Sequence, residues 1–274
     1  MSALHEQLAS DGLLQIGATT AHAQLDSVAQ QAAAHHWSYS HFLGRLLEAE
    51  IAARRQRVIE TSLHFSGLPW QKRLSDFDFS FQPSIDRTLI EELATGRFLD
   101  EGRNVIFQGP PGVGKTHLAI ALGLSCAERG QRLLFLGAME LARRMKTAFA
   151  ANRMPHYLKM LTTPKLLIVD EVGYLGLDHD QASLLFQVIC QRYEKQAATI
   201  ITSNKAFSDW GHVFAGDAVM ASAALDRLLH RATVVNIKGE SYRMKEKRLT
   251  GLFPGSIALP DAPRNKGGPS SKTK

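Results

Sequence analysis

Residues 109–116 read GPPGVGKT, and the rest of the chain is organised around this octapeptide. It satisfies the pattern G-x-x-x-x-G-K-[ST] with Gly109, Gly114, Lys115 and Thr116 in register. A loop that wraps a polyphosphate turns its backbone N–H groups inward, and glycine reaches those dihedrals without a Cβ clash. Gly112 and Gly114 let the chain close around the anion. The run His117–Cys126 is apolar and alanine-rich, so a helix starts at the loop and aims its positive end at the phosphates. Lys115 then reaches the β- and γ-phosphates and Thr116 ligates Mg²⁺. The candidate nucleotide contacts are Gly109, Pro110, Pro111, Gly112, Val113, Gly114, Lys115, Thr116 and His117, for a nucleoside triphosphate with Mg²⁺.

Working outward, Asn104–Gln108 (NVIFQ) is an apolar run long enough for the buried strand that should precede such a loop. Leu166–Glu171 (LLIVDE) has the form of a second buried parallel strand delivering two acids to its C-terminal edge. Asp170 is placed to hold Mg²⁺ through its water shell, and Glu171 to polarise the attacking water. Thr199–Ser203 (TIITS) runs into Asn204, which is expected beside the γ-phosphate, orienting the lytic water. From residue 104 onward, strand and helix alternate, which predicts an α/β fold with a parallel sheet and right-handed crossovers. Strands are expected over 104–108, 132–136, 165–170, 198–203 and 233–237. Helices are expected over 115–129, 138–150, 154–162, 179–195 and 218–231. Two helical segments between the second and third strands are one more than a plain crossover needs.

Residues 2–66 are rich in Ala, Leu, Gln and Arg and read as two or three helices. The long one should follow a cap at Ser38 or Ser40, with Phe42, Leu43, Leu46, Leu47, Ile51, Val58, Ile59 and Leu63 recurring at helical spacing. Six of the eleven histidines fall here, but their scatter and the lack of nearby cysteine favour surface or core roles over a metal site. Gly67–Pro69 and Pro83 punctuate a linker carrying Trp70, Phe77, Phe79 and Phe81. These aromatics pack the linker onto the core, or one of them lines the nucleotide pocket. The division expected is 1–66 helical, 67–253 the nucleotide-hydrolysing unit, and 254–274 a disordered basic tail with four prolines.

Charge is unevenly spread over a chain whose net is +6. Residues 1–66 net −2 and residues 238–274 net +6, while Gly137–Lys165 carries Arg143, Arg144, Lys146, Arg153, Lys159 and Lys165 against Glu140 alone. Such a stretch is a solvated helix face or, attached to a nucleotide-hydrolysing core, a nucleic-acid contact. Arg143, Arg144, Lys146, Arg153 and Lys159 are the candidate DNA-binding residues. Cys126 and Cys190 fall in predicted helices and read as small apolar side chains in a reducing cytoplasm. The first residues lack a basic segment followed by an apolar one, and no window approaches eighteen apolar residues. The expectation is a cytoplasmic chain, neither exported nor membrane-spanning. In ALDRLLHRA (224–232), Arg227 and Arg231 lie about one helical turn apart. Either is structural or, in an oligomer, reaches the neighbouring subunit's γ-phosphate. Arg243, in GESYRMK (239–245), is a second candidate for phosphate contact.

With these residues in place, the chain resembles the IstB-type transposition helper ATPases, in the AAA+ group that also holds bacterial replicative helicase loaders. The resemblance is carried by GLPWQKRLSDFDF (67–79), NVIFQGPPGVGKTHLAIALG (104–123), LLIVDEVGYL (166–175), TSN (202–204), LDRLLHRA (225–232) and GESYR (239–243). It implies an AAA+ P-loop core with a five-stranded parallel sheet, preceded by a small helical partner-binding domain. It also implies ATP as the nucleotide, with Mg²⁺, and assembly as a homo-oligomer on duplex DNA that is presented to a partner transposase. The resemblance makes Lys115 and Thr116 nucleotide and Mg²⁺ residues, Asp170 and Glu171 the acidic pair, Asn204 the first sensor, Arg227 the finger and Arg243 the second sensor. The group lacks the C-terminal helical lid that usually carries that second sensor. A helicase loader would share this core. Loaders commonly carry a cysteine-bearing N-terminal module, however, and residues 1–66 contain no cysteine. A nucleotide-gated DNA scaffold with negligible turnover is a third reading, against which Glu171 argues.

Overall fold

The computed structural model describes residues 2–70, 72–174, 176–242 and 244. Arg243 and the tail 254–274, expected as a phosphate contact and a disordered segment, lie outside the described residues. Three helices come first: α1 (Ser2–Gln15), α2 (Thr19–Ala34) and α3 (Tyr39–Phe65). Ser38 caps α3, its hydroxyl accepting from His41 N at 3.2 Å. Helix α2 lacks a capping side chain at Ala18, and a residue thirty positions away supplies the missing acceptor. The buried Glu50 carboxylate, on α3, accepts from Thr20 N at 2.9 Å and Ala21 N at 3.1 Å. A negative charge there complements the positive helix end. The hydrogen bond from Arg54, first among its causes, holds the Glu50 carboxyl below the usual carboxylate range.

The core of this bundle is small: Ala18, Ala21 and Leu46 are its buried apolar residues. The helical spacing expected of α3 is present, yet Leu43, Leu47, Ile51 and Val58 are exposed. Only one face of α3 meets α2, and its last turns dock elsewhere. Leu63 packs on the main core, and Ser62 Oγ donates to Gln131 O at 2.7 Å. At residue 66, where a boundary was expected, the chain thus ends a helix whose last turns pack on the main core. Just beyond it, Phe135 N donates to Ser66 O at 2.6 Å, which occupies an edge amide of the sheet.

The rest of the chain gives α4 (Arg87–Ala94), α5 (Arg97–Asp100), β1 (Asn104–Gln108), α6 (Lys115–Glu128), β2 (Leu133–Gly137), α7 (Ala138–Ala150), α8 (Met154–Thr162), β3 (Leu166–Val172), α9 (His179–Glu194), β4 (Ala198–Ser203), α10 (Trp210–Val213), α11 (Ala218–His230) and β5 (Ala232–Asn236). The strands form one parallel sheet in the order β2-β3-β4-β1-β5. Both faces are covered, as a parallel sheet requires. Val105, Phe107, Leu166, Ile168 and Ile200 face α6, α4 and α5; Ile106, Leu167, Val169 and Ile201 face α7 to α11. Helix α6 is buried almost throughout, with Leu118, Ile120 and Leu122 inaccessible to solvent.

Four strands match their expected spans within one residue at each end. β3 departs from expectation in an instructive way. It does not stop at Asp170 but continues to Val172, with its register against β4 slipping between Val169 and Val172. Val169 pairs with Ile201 and Val172 with Ser203, so Asp170 and Glu171 together oppose Thr202: a β-bulge. The extra residue reverses the in-out alternation, and Val172 joins the cluster of Leu167 and Val169. The helices α4 and α5 were not foreseen. Asp86 caps α4, accepting from Thr88 N and Leu89 N, and Ile90, Leu93, Phe98 and Leu99 are buried in the core. No helix among the described residues is long and apolar enough to cross a membrane.

Candidate functional site

A cavity of about 480 Å³ opens at the C-terminal edge of the sheet, where β1, β3 and β4 end. Its floor is the phosphate loop from Pro111 to Thr116, continued by His117. The two close glycine positions are explained by contact. A Cβ at Gly112 (φ 81°) would fall 2.0 Å from Ser241 Oγ, and one at Gly114 (φ 101°) 2.6 Å from the Phe77 ring. Lys115, only 8% exposed, donates from Nζ to Gly109 O at 2.8 Å and Pro110 O at 2.7 Å. Gly109 and Pro110 thus serve through their carbonyls, which aim the ammonium along the loop. Val113 is buried and anchors the loop in the core.

Asp170, 7% exposed, lies behind the loop rather than in the open cavity. Thr116 Oγ1 sits 2.9 Å from its Oδ1 and 3.1 Å from its Oδ2. This hydroxyl and carboxylate are hard oxygen donors, of the kind Mg²⁺ takes one or two at a time alongside phosphates and water. The donor set therefore fits Mg²⁺. Among the described residues, no cluster of three or more His, Cys, Asp or Glu competes as a metal site.

Glu171 occupies the bulge with φ 61°, a backbone region that non-glycine residues seldom adopt. Its side chain is exposed and lines the cavity together with Asn204 and Tyr174. β4 lies between β3 and β1, which brings Asn204 between the acidic strand and the phosphate loop. Sequence reasoning missed Thr202, fully buried one strand over, whose Oγ1 lies 2.5 Å from Asp170 Oδ1 and accepts from Glu171 N at 2.9 Å. The signal available was a hydroxyl residue inside the apolar run of β4.

The linker does both things the sequence allowed. Phe77 and Phe79 pack on the main core, while Trp70, Phe77 and Phe81 line the cavity. His117 meets Phe77 edge to face, ring centres 5.2 Å apart. Its Nε2 lies 3.0 Å from Arg73 O; a carbonyl only accepts, so Nε2 carries the proton. Burial, first among the causes, lowers the His117 pKa and favours the neutral ring. Gln82, 2% exposed, is a further wall residue that the sequence did not reveal. Its Nε2 donates to Glu240 O at 3.0 Å, which leaves Oε1 a buried acceptor without a donor among the described residues. Tyr242 closes the rim, and its backbone N donates to Gly112 O at 3.0 Å.

The remaining candidates lie elsewhere. Arg227 and Arg231 line a separate cavity of about 210 Å³ with Gly102, Asn104, Gln196 and Ala197, at the edge where β1 and β4 begin. Arg227 donates to Ala223 O at 2.9 Å, and its guanidinium lies 5.4 Å from the Phe186 ring centre. On α7, Arg143 and Arg144 share Glu140, at 2.7 Å and 2.6 Å, and Lys146 pairs with Asp178 at 3.1 Å. Hydrogen bonds from Arg143 and then Arg144 lower the Glu140 carboxyl to about 2. Arg153 and Lys159 have no ion-pair partner among the described residues.

Residues 13–250 match the family model described as IstB-like ATP binding protein. A relative from Pseudomonas aeruginosa, named as an ATP-binding protein of insertion sequence IS21, is 49% identical over 84% of this chain and 86% of its own length. One from Geobacillus stearothermophilus, named for insertion sequence IS5376, is 48% identical over 81% and 88%. Among solved structures, the DnaC helicase loader aligns with a TM-score of 0.51 at 23% identity, covering 62% of this chain and 98% of that one. AMPPCP-bound DnaA from Aquifex aeolicus aligns with 0.53 at 19%, covering 70% and 59%. At such identities these likenesses speak to the fold alone, and it is the AAA+ fold.

Proposed function

This chain belongs to the IstB-like ATP-binding proteins, and from that premise we propose that it is a Mg²⁺-dependent ATPase that assembles on duplex DNA and delivers it to the transposase of an insertion sequence. The observation that carries the reading is the convergence of Lys115, Thr116, Asp170, Glu171 and Asn204 on one sheet edge. ATP as the nucleotide follows from the family and its relatives. Insertion-sequence relatives near half identity, against 23% for the loader, favour a transposase as the client.

Each group has a role set by charge. The backbone amides of the loop and the start of α6 take the phosphates, and Lys115 neutralises the β- and γ-oxygens. Thr116 and Asp170 would hold Mg²⁺, which when bound would add to the neutralisation of the leaving phosphates. Glu171 accepts a proton from the attacking water, which Asn204 orients. Arg227 acts on the cavity of a neighbouring subunit, so ATP holds the homo-oligomer together. Arg143, Arg144, Lys146, Arg153 and Lys159 contact DNA phosphates, which gives largely sequence-independent and strongly salt-dependent binding. Exposed ion pairs such as those of Glu140 are weak, so Arg143 and Arg144 exchange it readily for phosphate. The test is sedimentation and duplex-binding anisotropy with and without Mg-ATP. Larger assemblies and tighter duplex binding with ATP are expected; identical mass and affinity in both states overturn the proposal.

A further inference from the structure

Thr202 stands where the two acids of β3 meet the neighbouring strand. It is fully buried in β4, flanked by Ile201 and Ser203, a position at which packing alone would favour an aliphatic side chain. Its hydroxyl has one proton and can accept others. The Glu171 amide donates to it at 2.9 Å, so the Thr202 proton goes to Asp170 Oδ1, 2.5 Å away. One oxygen atom thereby grips both members of the acidic pair.

The grip falls on the bulge. In a regular strand, Asp170 and Glu171 would point to opposite faces of the sheet. Here both stand opposite Thr202, Glu171 takes φ 61°, and its carboxylate is delivered to the cavity while Asp170 stays buried. A bulge leaves its extra residue outside the ladder. The Thr202 hydroxyl gives the displaced Glu171 amide, part-buried, the acceptor that the ladder no longer supplies.

We propose that Thr202 is a positioning residue for hydrolysis: it locks the bulge so that Glu171 faces the cavity and Asp170 keeps its orientation toward Thr116. The inference rests on the ATPase reading for its kinetic consequence, but not for the lock itself. Thr202→Val keeps the shape and removes the hydroxyl, while Thr202→Ser keeps the hydroxyl. For Thr202→Val the expected result is a kcat lower by roughly tenfold to a hundredfold, the scale of a misplaced catalytic group, with KM and ATP affinity within about threefold. Thr202→Ser restores kcat.

The second readout needs no turnover. By NMR on the nucleotide-free protein, the Glu171 amide should exchange roughly tenfold or more slowly than an unstructured amide, and faster in Thr202→Val than in Thr202→Ser. An unprotected Glu171 amide in the wild-type chain overturns the lock even if the valine variant fails to fold. A folded valine variant with wild-type kcat overturns the kinetic role. A wild-type chain that never hydrolyses ATP sinks the ATPase reading instead, and the exchange measurement still decides the lock.

Discussion

The two edges of the sheet differ in kind. At the C-terminal edge, polar groups are held by one another: Lys115 by loop carbonyls, Asp170 by Thr116 and Thr202, the Glu171 amide by Thr202. At the N-terminal edge, arginines are held mainly by backbone carbonyls and a ring. The buried Arg192 donates to Leu161 O, Pro164 O and Ala198 O besides Thr199 Oγ1, and burial lowers its pKa to about 10. Arg227 lies on Phe186 beside an open cavity. One edge is built to receive an anion. The other carries a cation, separated from its own phosphate loop by strands about 16 Å long at the rise of a β-strand, further than an arginine side chain extends. In the proposed assembly, these opposite edges would let subunits stack head to tail, each arginine serving the next cavity.

The largest expected effect breaks the receiving edge. Lys115→Ala should lose ATP binding in a fluorescent-nucleotide titration; wild-type affinity there would remove the phosphate loop from the account. Arg227→Ala breaks the donating edge. It should spare ATP binding and slow hydrolysis by roughly a thousandfold, the low end for an arginine supplied in trans. Mixing it with Lys115→Ala subunits should partly restore turnover, because hybrid interfaces then pair an intact cavity with an intact arginine. Failure of every mixture to recover activity would return Arg227 to a structural role.

Glu171→Gln sharpens the comparison within the receiving edge. Turnover should fall roughly a hundredfold, as for a lost general base, while ATP binding persists and the ATP-bound assembly is trapped, as seen by sedimentation. Unchanged turnover would assign the base elsewhere. The smallest effect tests a surface belonging to neither edge. Reversing Arg143 and Arg144 together should leave ATP affinity intact and lower the slope of duplex affinity against salt by about two, one for each DNA phosphate no longer neutralised. A slope equal to wild type would move the DNA surface off α7.

The phosphate loop, the five strands and the helices that alternate with them were legible because each signal is local. Short apolar runs leading into GPPGVGKT, DE or TSN fix both the strand and the chemistry at its exit. The helix α4 was legible in principle, since Asp86 stands ahead of Leu89, Ile90 and Leu93 at helical spacing, yet no element was expected between the linker and the first strand. The walls of the cavity were not legible. Gln82 and Tyr242 are far apart in sequence and line one cavity only because β5 runs beside β1 and returns the chain to the loop. Glu50 as the cap of α2 is the same case, an interaction across thirty residues.

Sequence alone determined that this chain has a triphosphate cradle, an acidic strand and a strand ending in asparagine, because those properties reside in residue type and short spacing. Tertiary structure decided the order β2-β3-β4-β1-β5, and with it which strand ends become neighbours. It also decided that Asp170 and Glu171 part company, one buried and one exposed, though they are adjacent in the chain. A strand by itself alternates its side chains strictly; the bulge that breaks this alternation exists only because a second strand lies alongside, with Thr202 opposite both acids.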